Sequence, residues 1–125
     1  MTKKTILLVD DEDIILLGTS RNLEKAGYEV VTASSGEEAI EKLEKCSSYD
    51  LVITDLNLGG KTGLDVLIKA REINVNMCLM VTTGFGVESP LFKQAYRLKL
   101  CAHAFKPFPK KELLEKVGIC LEKPS

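Results

Sequence analysis

Several short apolar stretches in this chain stop on residues that can carry charge or hold an oxyanion. Thr5-Ile6-Leu7-Leu8-Val9 runs straight into Asp10-Asp11-Glu12-Asp13, and the stretch from Asp50 to Thr54 ends at Asp55. Met77 to Thr83 finishes on the hydroxyls Thr82 and Thr83 before Gly84, and Ala102 to Lys106 finishes on a lysine followed by Pro107. Brought to one rim, these residues would set carboxylates, a hydroxyl and an ammonium group around a common gap. Carboxylates placed about 4 Å apart repel by roughly 4 kcal/mol per pair at an effective dielectric near 20. A hard cation relieves that repulsion, because Mg²⁺ takes oxygen ligands, few of them carboxylates and the rest waters or phosphate oxygens. Asp10, Asp11, Asp55 and a backbone carbonyl such as that of Asn57 supply such a set, and a lysine across the gap would meet a phosphoryl oxygen as a point charge.

Taken singly, each of these residues has a plainer explanation. An acidic run such as Asp10 to Asp13 is an ordinary solvated helix start. Asp55 is a good turn or capping residue, Thr83 a common β-branched strand residue, and Lys106 a side chain that can lie along the surface with its ammonium in water. The signal is their coincidence at the ends of successive strands, so it depends on the elements between them.

A fifth apolar stretch, Tyr28 to Ala33, joins the four above, and three of the five are apolar almost throughout, as strands covered on both faces are. Helical spacing fills the intervals. Leu113, Leu114, Val117, Cys120 and Leu121 share one face opposite Lys110, Glu112, Glu115 and Lys116, and Ala39, Ile40 and Leu43 do so within Ser35 to Lys45. Ser34 or Ser35 is available as N-cap there. Asp13 to Ala26 is looser and should stop at Gly27, a left-handed C-terminal residue. Leu64 to Glu72 and Pro90 to Leu98, the latter opened by Ser89-Pro90, complete the set. Strand and helix alternate five times, which with right-handed crossovers predicts an α/β, doubly wound, three-layer domain whose binding crevice lies at the carboxyl ends of the strands.

The chain length suits one such domain, residues 1–125. Seventeen basic against eighteen acidic residues leave a net charge of -1, so nothing draws in a polyanion and no direct contact with nucleic acid is expected. The apolar run before Asp10 is too short for a signal-peptide core or a membrane span, which predicts a cytoplasmic protein without a membrane partner. Cys46, Cys78, Cys101 and Cys120 are irregularly spaced, matching neither a redox CxxC nor a zinc pattern, and are expected to be reduced and mostly buried.

Over nearly its whole length the chain resembles the receiver domain of two-component response regulators. The likeness is carried by Asp10-Asp11 after "ILLV", Asp55 in "DLVITD", Gly63, Thr83 in "VTTG" and Lys106-Pro107 in "FKPF". Jointly these motifs are specific, although none is so alone. The resemblance implies a flavodoxin-like sandwich with five helices around a five-stranded parallel sheet of order 2-1-3-4-5. It implies that Asp55 takes a phosphoryl group from a sensor histidine kinase or histidine phosphotransfer protein, with Mg²⁺ held by Asp11 and Asp55 directly, by Asp10 through water, and by the Asn57 carbonyl. Thr83 and Lys106 would hold phosphoryl oxygens, Gly63 and Pro107 would be structural, and the Lys106-Pro107 bond would be cis. Signalling to an unidentified output protein or domain would run through the fourth helix, fifth strand and fifth helix as a population shift.

Departures from the family pattern fall mostly on that output side. Gly59-Gly60 stands where proline is frequent four residues after the phosphoacceptor, Lys99-Leu100 replaces a Gly-Ala turn, and the stretch from Thr83 to Ala95 carries an extra residue. His103 occupies the position of an aromatic switch residue, and an unperturbed imidazole there would add pH sensitivity. Asn57 and Phe85 flank the expected path of water to the acyl phosphate and would tune its lifetime. Other readings fit less well. A flavodoxin-like small-molecule binder would place a phosphate-cradling loop where Asp10 to Asp13 stand, a dehalogenase-type phosphatase would need an acid at Asn57, and a degenerate receiver serving only as a docking module would not need Asp55, Thr83 and Lys106 together. Whether the domain stands alone or belongs to a longer regulator is open in the sequence.

Overall fold

The computed structural model describes residues 3–122 other than Phe85 and Val87; the expected lifetime role of Phe85 therefore lies outside the described residues. Five strands, β1 (Thr5–Val9), β2 (Glu29–Ala33), β3 (Leu51–Asp55), β4 (Cys78–Thr83) and β5 (Ala102–Phe105), alternate with α1 (Asp13–Lys25), α2 (Gly36–Lys45), α3 (Gly63–Ile73), α4 (Pro90–Tyr96) and α5 (Lys110–Glu122). The sheet has the order β2-β1-β3-β4-β5, and every neighbouring pair is parallel. The expected doubly wound architecture is the observed one.

Period-two alternation divides the sheet's side chains between two apolar layers. Leu7, Val9, Val52, Leu79 and Val81 face one side, where Ala39, Leu43, Val66, Leu67, Phe92 and Ala95 bring in α2, α3 and α4. Ile6, Leu8, Leu51, Ile53 and Met80 face the other, against Leu23 of α1 and Leu113, Val117 and Cys120 of α5. The central strands β1, β3 and β4 read as nearly unbroken apolar runs because both their faces are covered, whereas the edge strands β2 and β5 are only partly buried.

The boundaries follow local chemistry. Asp50, expected inside the third strand, lies just before it, with its carboxylate accepting a hydrogen bond from the Thr5 N–H at 2.8 Å; the strand instead extends to Asp55. Ser35 caps α2 by accepting the Glu38 N–H, and Gly27 follows α1 at φ 102°. Thr62 and Asp65 form a reciprocal capping box that starts α3 at Gly63, one residue before the sequence pattern placed it. The fourth helix is shorter than expected, ending at Tyr96 rather than Leu98, and its exit passes through Lys99 at φ 63°. The cysteines correct the expectation of burial: Cys120 is buried and Cys78 half-buried, but Cys46 and Cys101 are exposed. Cys46 is the C-cap of α2 and Cys101 lies in the bend before β5, so neither belongs to a face that packs inward. Among the described residues no helix is long and apolar enough to cross a membrane.

Gly63 sits where the chain leaving β3 folds back on itself. A β-carbon there would lie 2.1 Å from the Asp55 carbonyl oxygen and 2.7 Å from the Leu56 α-carbon, both backbone atoms that cannot swing aside. Gly18, exposed in α1, has nothing within 4 Å of the same position. In urea unfolding, Gly63→Ala is expected to lower stability by at least ~2 kcal/mol through overpacking against the backbone. Gly18→Ala is expected to raise it by about 0.5–1 kcal/mol through helix propensity.

Candidate functional site

The carboxyl ends of β1, β3, β4 and β5 carry the charged and hydroxyl residues to one rim. Val9 is in register with Thr54, so the residues that follow them, Asp10 and Asp55, leave adjacent strands side by side. Both are buried, at 4% exposure each, a costly place for two carboxylates. The compensation is Lys106, reaching across from the end of β5. Its Nζ lies 2.8 Å from Asp10 Oδ2, 2.9 Å from Asp55 Oδ2 and 3.2 Å from Glu12 Oε1. The remaining oxygens are also engaged: the Glu12 N–H donates to Asp10 Oδ1 at 2.9 Å, and the Asn57 N–H donates to Asp55 Oδ1 at 3.0 Å.

These contacts act on the protonation equilibria in opposite senses. Burial pushes the Asp55 carboxyl above its ordinary range, against the hydrogen bond from Lys106, the Asn57 N–H and the lysine's charge, while Asp10 adds repulsion. Burial also works against the Lys106 ammonium, but its hydrogen bonds to Asp10 and Asp55 and their negative charges outweigh that effect and raise its pKa. The lysine is therefore a fixed cation at neutral pH, held where charge on a bound oxyanion would be neutralised.

Asp10, Asp11, Glu12 and Asp55 each offer a carboxylate oxygen within 4.8 Å of the others. The donor set is all oxygen, without His or Cys, which fits a hard divalent cation such as Mg²⁺ rather than a thiophilic metal. Asp11 and Glu12 are the exposed members and open the cluster to solvent. Glu12 was not singled out in the sequence, because an acid in a helix-opening run looks like any other; its contact with Lys106 is what distinguishes it.

Thr83, fully buried at the end of β4, receives a hydrogen bond at 3.2 Å from the side-chain amide of Asn57. This contact across the loop after β3 was not legible in the sequence, which pointed to the Asn57 carbonyl as a metal ligand and to Asn57 as a residue beside the water path, not to a bond with Thr83. Thr83 also ties to β5, as its carbonyl accepts the Lys106 N–H at 2.8 Å. The Lys106-Pro107 bond is cis. His103, in contrast, lies outside this rim. Half-buried on β5, it packs edge-on against Phe92 at 5.1 Å and against Phe105 at 5.2 Å. Burial lowers its pKa, aided by the charge of Lys116 and opposed by Glu112, so the titration expected of an unperturbed imidazole moves to lower pH.

This fold and rim place the chain among known proteins. Residues 6–118 match the response regulator receiver domain family, and the chain belongs to it. It is 34% identical to the alkaline phosphatase synthesis transcriptional regulatory protein PhoP of Bacillus subtilis, over 96% of this chain and 49% of that protein. It is 28% identical to sporulation initiation phosphotransferase F of the same organism, over 94% and 93% of the two chains. The chain thus spans about half of one relative and nearly all of the other. Among solved structures, a CheY-like receiver domain protein from Methanospirillum hungatei superposes with a TM-score of 0.90 at 31% identity, covering 98% of this chain and 96% of that one.

Removing the ammonium leaves two buried carboxylates facing each other. Without divalent cations, Lys106→Met is expected to lower stability to denaturant by ~1–3 kcal/mol. Adding Asp55→Asn to that background should recover part of the loss, and a strictly additive double-mutant cycle would show that the lysine is not compensating Asp55.

Proposed function

We propose that the whole chain, residues 1–125, is one phosphoacceptor receiver domain of the cytoplasm, and that Asp55 is the residue phosphorylated. The observation that carries this reading is the Lys106 ammonium shared between Asp10 and Asp55 at the buried rim. A carboxylate oxygen of Asp55 attacks the phosphorus of a phosphohistidine, the P–N bond breaks, and the electron pair returns to the imidazole nitrogen, which takes up a proton. Asp10, Asp11, Asp55 and the Asn57 carbonyl would hold Mg²⁺. When bound, that ion supplies charge neutralisation for the phosphoryl oxygens. Lys106 neutralises another phosphoryl oxygen, and Thr83 turns its hydroxyl toward the group. In doing so it gives up its hydrogen bond from Asn57, which couples the site to β4.

A protein donor needs a surface beside the rim, and α1 provides one. Ile14 and Leu17 are 87% and 52% exposed, an unusual placement for large aliphatic side chains so close together. Ile14 and Ile15 border a groove of about 660 Å³ that runs past Glu12 and Lys106 to Phe108 and Leu113. This patch suits the apolar face of a sensor kinase or histidine phosphotransfer protein. Beyond that groove, α4, β5 and the α5 surface next to β5 form the output face for a partner protein or domain, and His103 joins Thr83 as a switch position by its packing on Phe92 of α4.

Two experiments test the reading. With acetyl phosphate and Mg²⁺, intact mass should show one added phosphoryl group in wild type, and none after chelation of the metal or in Asp55→Ala. Labelling that persists in Asp55→Ala would place the chemistry elsewhere. Ile14→Asp alters a side chain in water, so acetyl phosphate should still label it, while transfer from a phosphohistidine protein should slow at least about tenfold. Equal loss with both donors would remove the docking role.

A further inference from the structure

At the other end of β4 from Thr83, two thiols come together that the phosphorylation chemistry does not use. The Cys101 N–H donates to the Leu79 carbonyl at 2.8 Å, and Met80 is in register with Ala102, so Cys101 lies opposite Leu79 and one residue out of step with Cys78. Neighbouring parallel strands are about 4.8 Å apart and advance about 3.3 Å per residue. That offset sets the two α-carbons about 6 Å apart, within the span of a disulfide. The Cys101 thiol lies close enough to Cys78 to act on its ionisation. Cys101 is exposed in the bend before β5, whereas Cys78 is half-buried and donates from its thiol to the Cys120 carbonyl at 3.3 Å.

We propose that Cys78 and Cys101 form a modification site, a thiol pair that hydroperoxides convert reversibly into a disulfide between β4 and β5. The Cys101 thiolate attacks a peroxide oxygen; the O–O bond breaks, giving the Cys101 sulfenic acid and an alcohol or water. The Cys78 sulfur then attacks the Cys101 sulfur and the S–O bond breaks. Water leaves with the Cys78 proton, and the two electrons have passed to the peroxide. Exposure makes Cys101 the peroxide-reactive member. Burial, with the Cys101 thiol beside it, pushes the Cys78 thiol up to about 11, so Cys78 is inert to peroxide and acts through proximity. Cys46 cannot take its place, because it follows α2, which packs on the opposite face of the sheet from Cys78. The crosslink would fasten the turn at Lys99-Leu100, and with it the start of β5, to β4.

The test uses the full chain carrying Cys46→Ser, which leaves three thiols. After hydrogen peroxide and then denaturing alkylation, the protein should take one label where the reduced form takes three. Peptide mapping should join Cys78 to Cys101, and dithiothreitol should restore three labels. Cys101→Ser, an exposed change, should abolish the loss. Cys78→Ala should let Cys101 pass on to the sulfinic acid, as expected when the resolving thiol is gone. Retention of all three labels, a bridge that includes Cys120, or a loss of two labels in Cys101→Ser would overturn the proposal.

Discussion

The ammonium of Lys106 between Asp10 and Asp55 is the contact on which the functional end of the molecule rests. Sheet hydrogen bonding fixes β1 and β3 in register up to Val9 and Thr54, so the following acids are forced together whatever their charges prefer. Neither can withdraw into water, since each is almost fully buried. β4 separates β3 from β5, and a side chain of lysine's length is what crosses it. The rim is thus organised by a conflict: apolar layers on both faces of the sheet supply the stability, and the acids at its edge spend some of it to hold charge where a cation and an oxyanion would relieve it.

The same lysine begins the route from the rim to the outer face. Its N–H binds the Thr83 carbonyl, and the Thr83 hydroxyl is held by Asn57, so the ends of β3, β4 and β5 form one connected set of hydrogen bonds. Three residues upstream on β5, His103 meets Phe92 of α4, and Lys116 of α5 binds the His103 carbonyl. A change at Thr83 therefore has packed, directional neighbours to act on. Phe92, His103 and Phe105 form one aromatic cluster there, with ring centroids 5.1 to 6.0 Å apart.

Much of this was legible in the sequence because it depends on pattern. Apolar runs of strand length, helical spacing between them and chemically loaded strand ends specify the layered sheet and bring Asp10, Asp55, Thr83 and Lys106 to one side. What escaped depends on single contacts between residues distant in the chain. Glu12 looks like a helix-opening acid until Lys106 is placed beside it, and the Asn57 amide has no sequence signature for Thr83. The cysteines were misjudged because burial follows position within an element, and Cys46 and Cys101 stand just outside theirs. The end of α4 was overestimated because Arg97 and Leu98 are acceptable helix residues, and only the left-handed Lys99 beyond them shows why the helix turns away.

That turn illustrates how a local penalty is absorbed. A lysine at φ 63° carries a cost of roughly 1–2 kcal/mol that glycine would avoid. Arg71 of α3 offsets it. Its guanidinium donates to the carbonyls of Leu98 and Lys99 on one side and to those of Val75 and Met77 on the other, the first at 2.8 Å and the last at 2.7 Å. One planar group therefore fastens the turn into β5 to the turn into β4, using the five donors that only arginine presents. The strained residue is held by α3 from outside its own loop, so the start of β5 is fixed relative to β4 even though α4 itself is short.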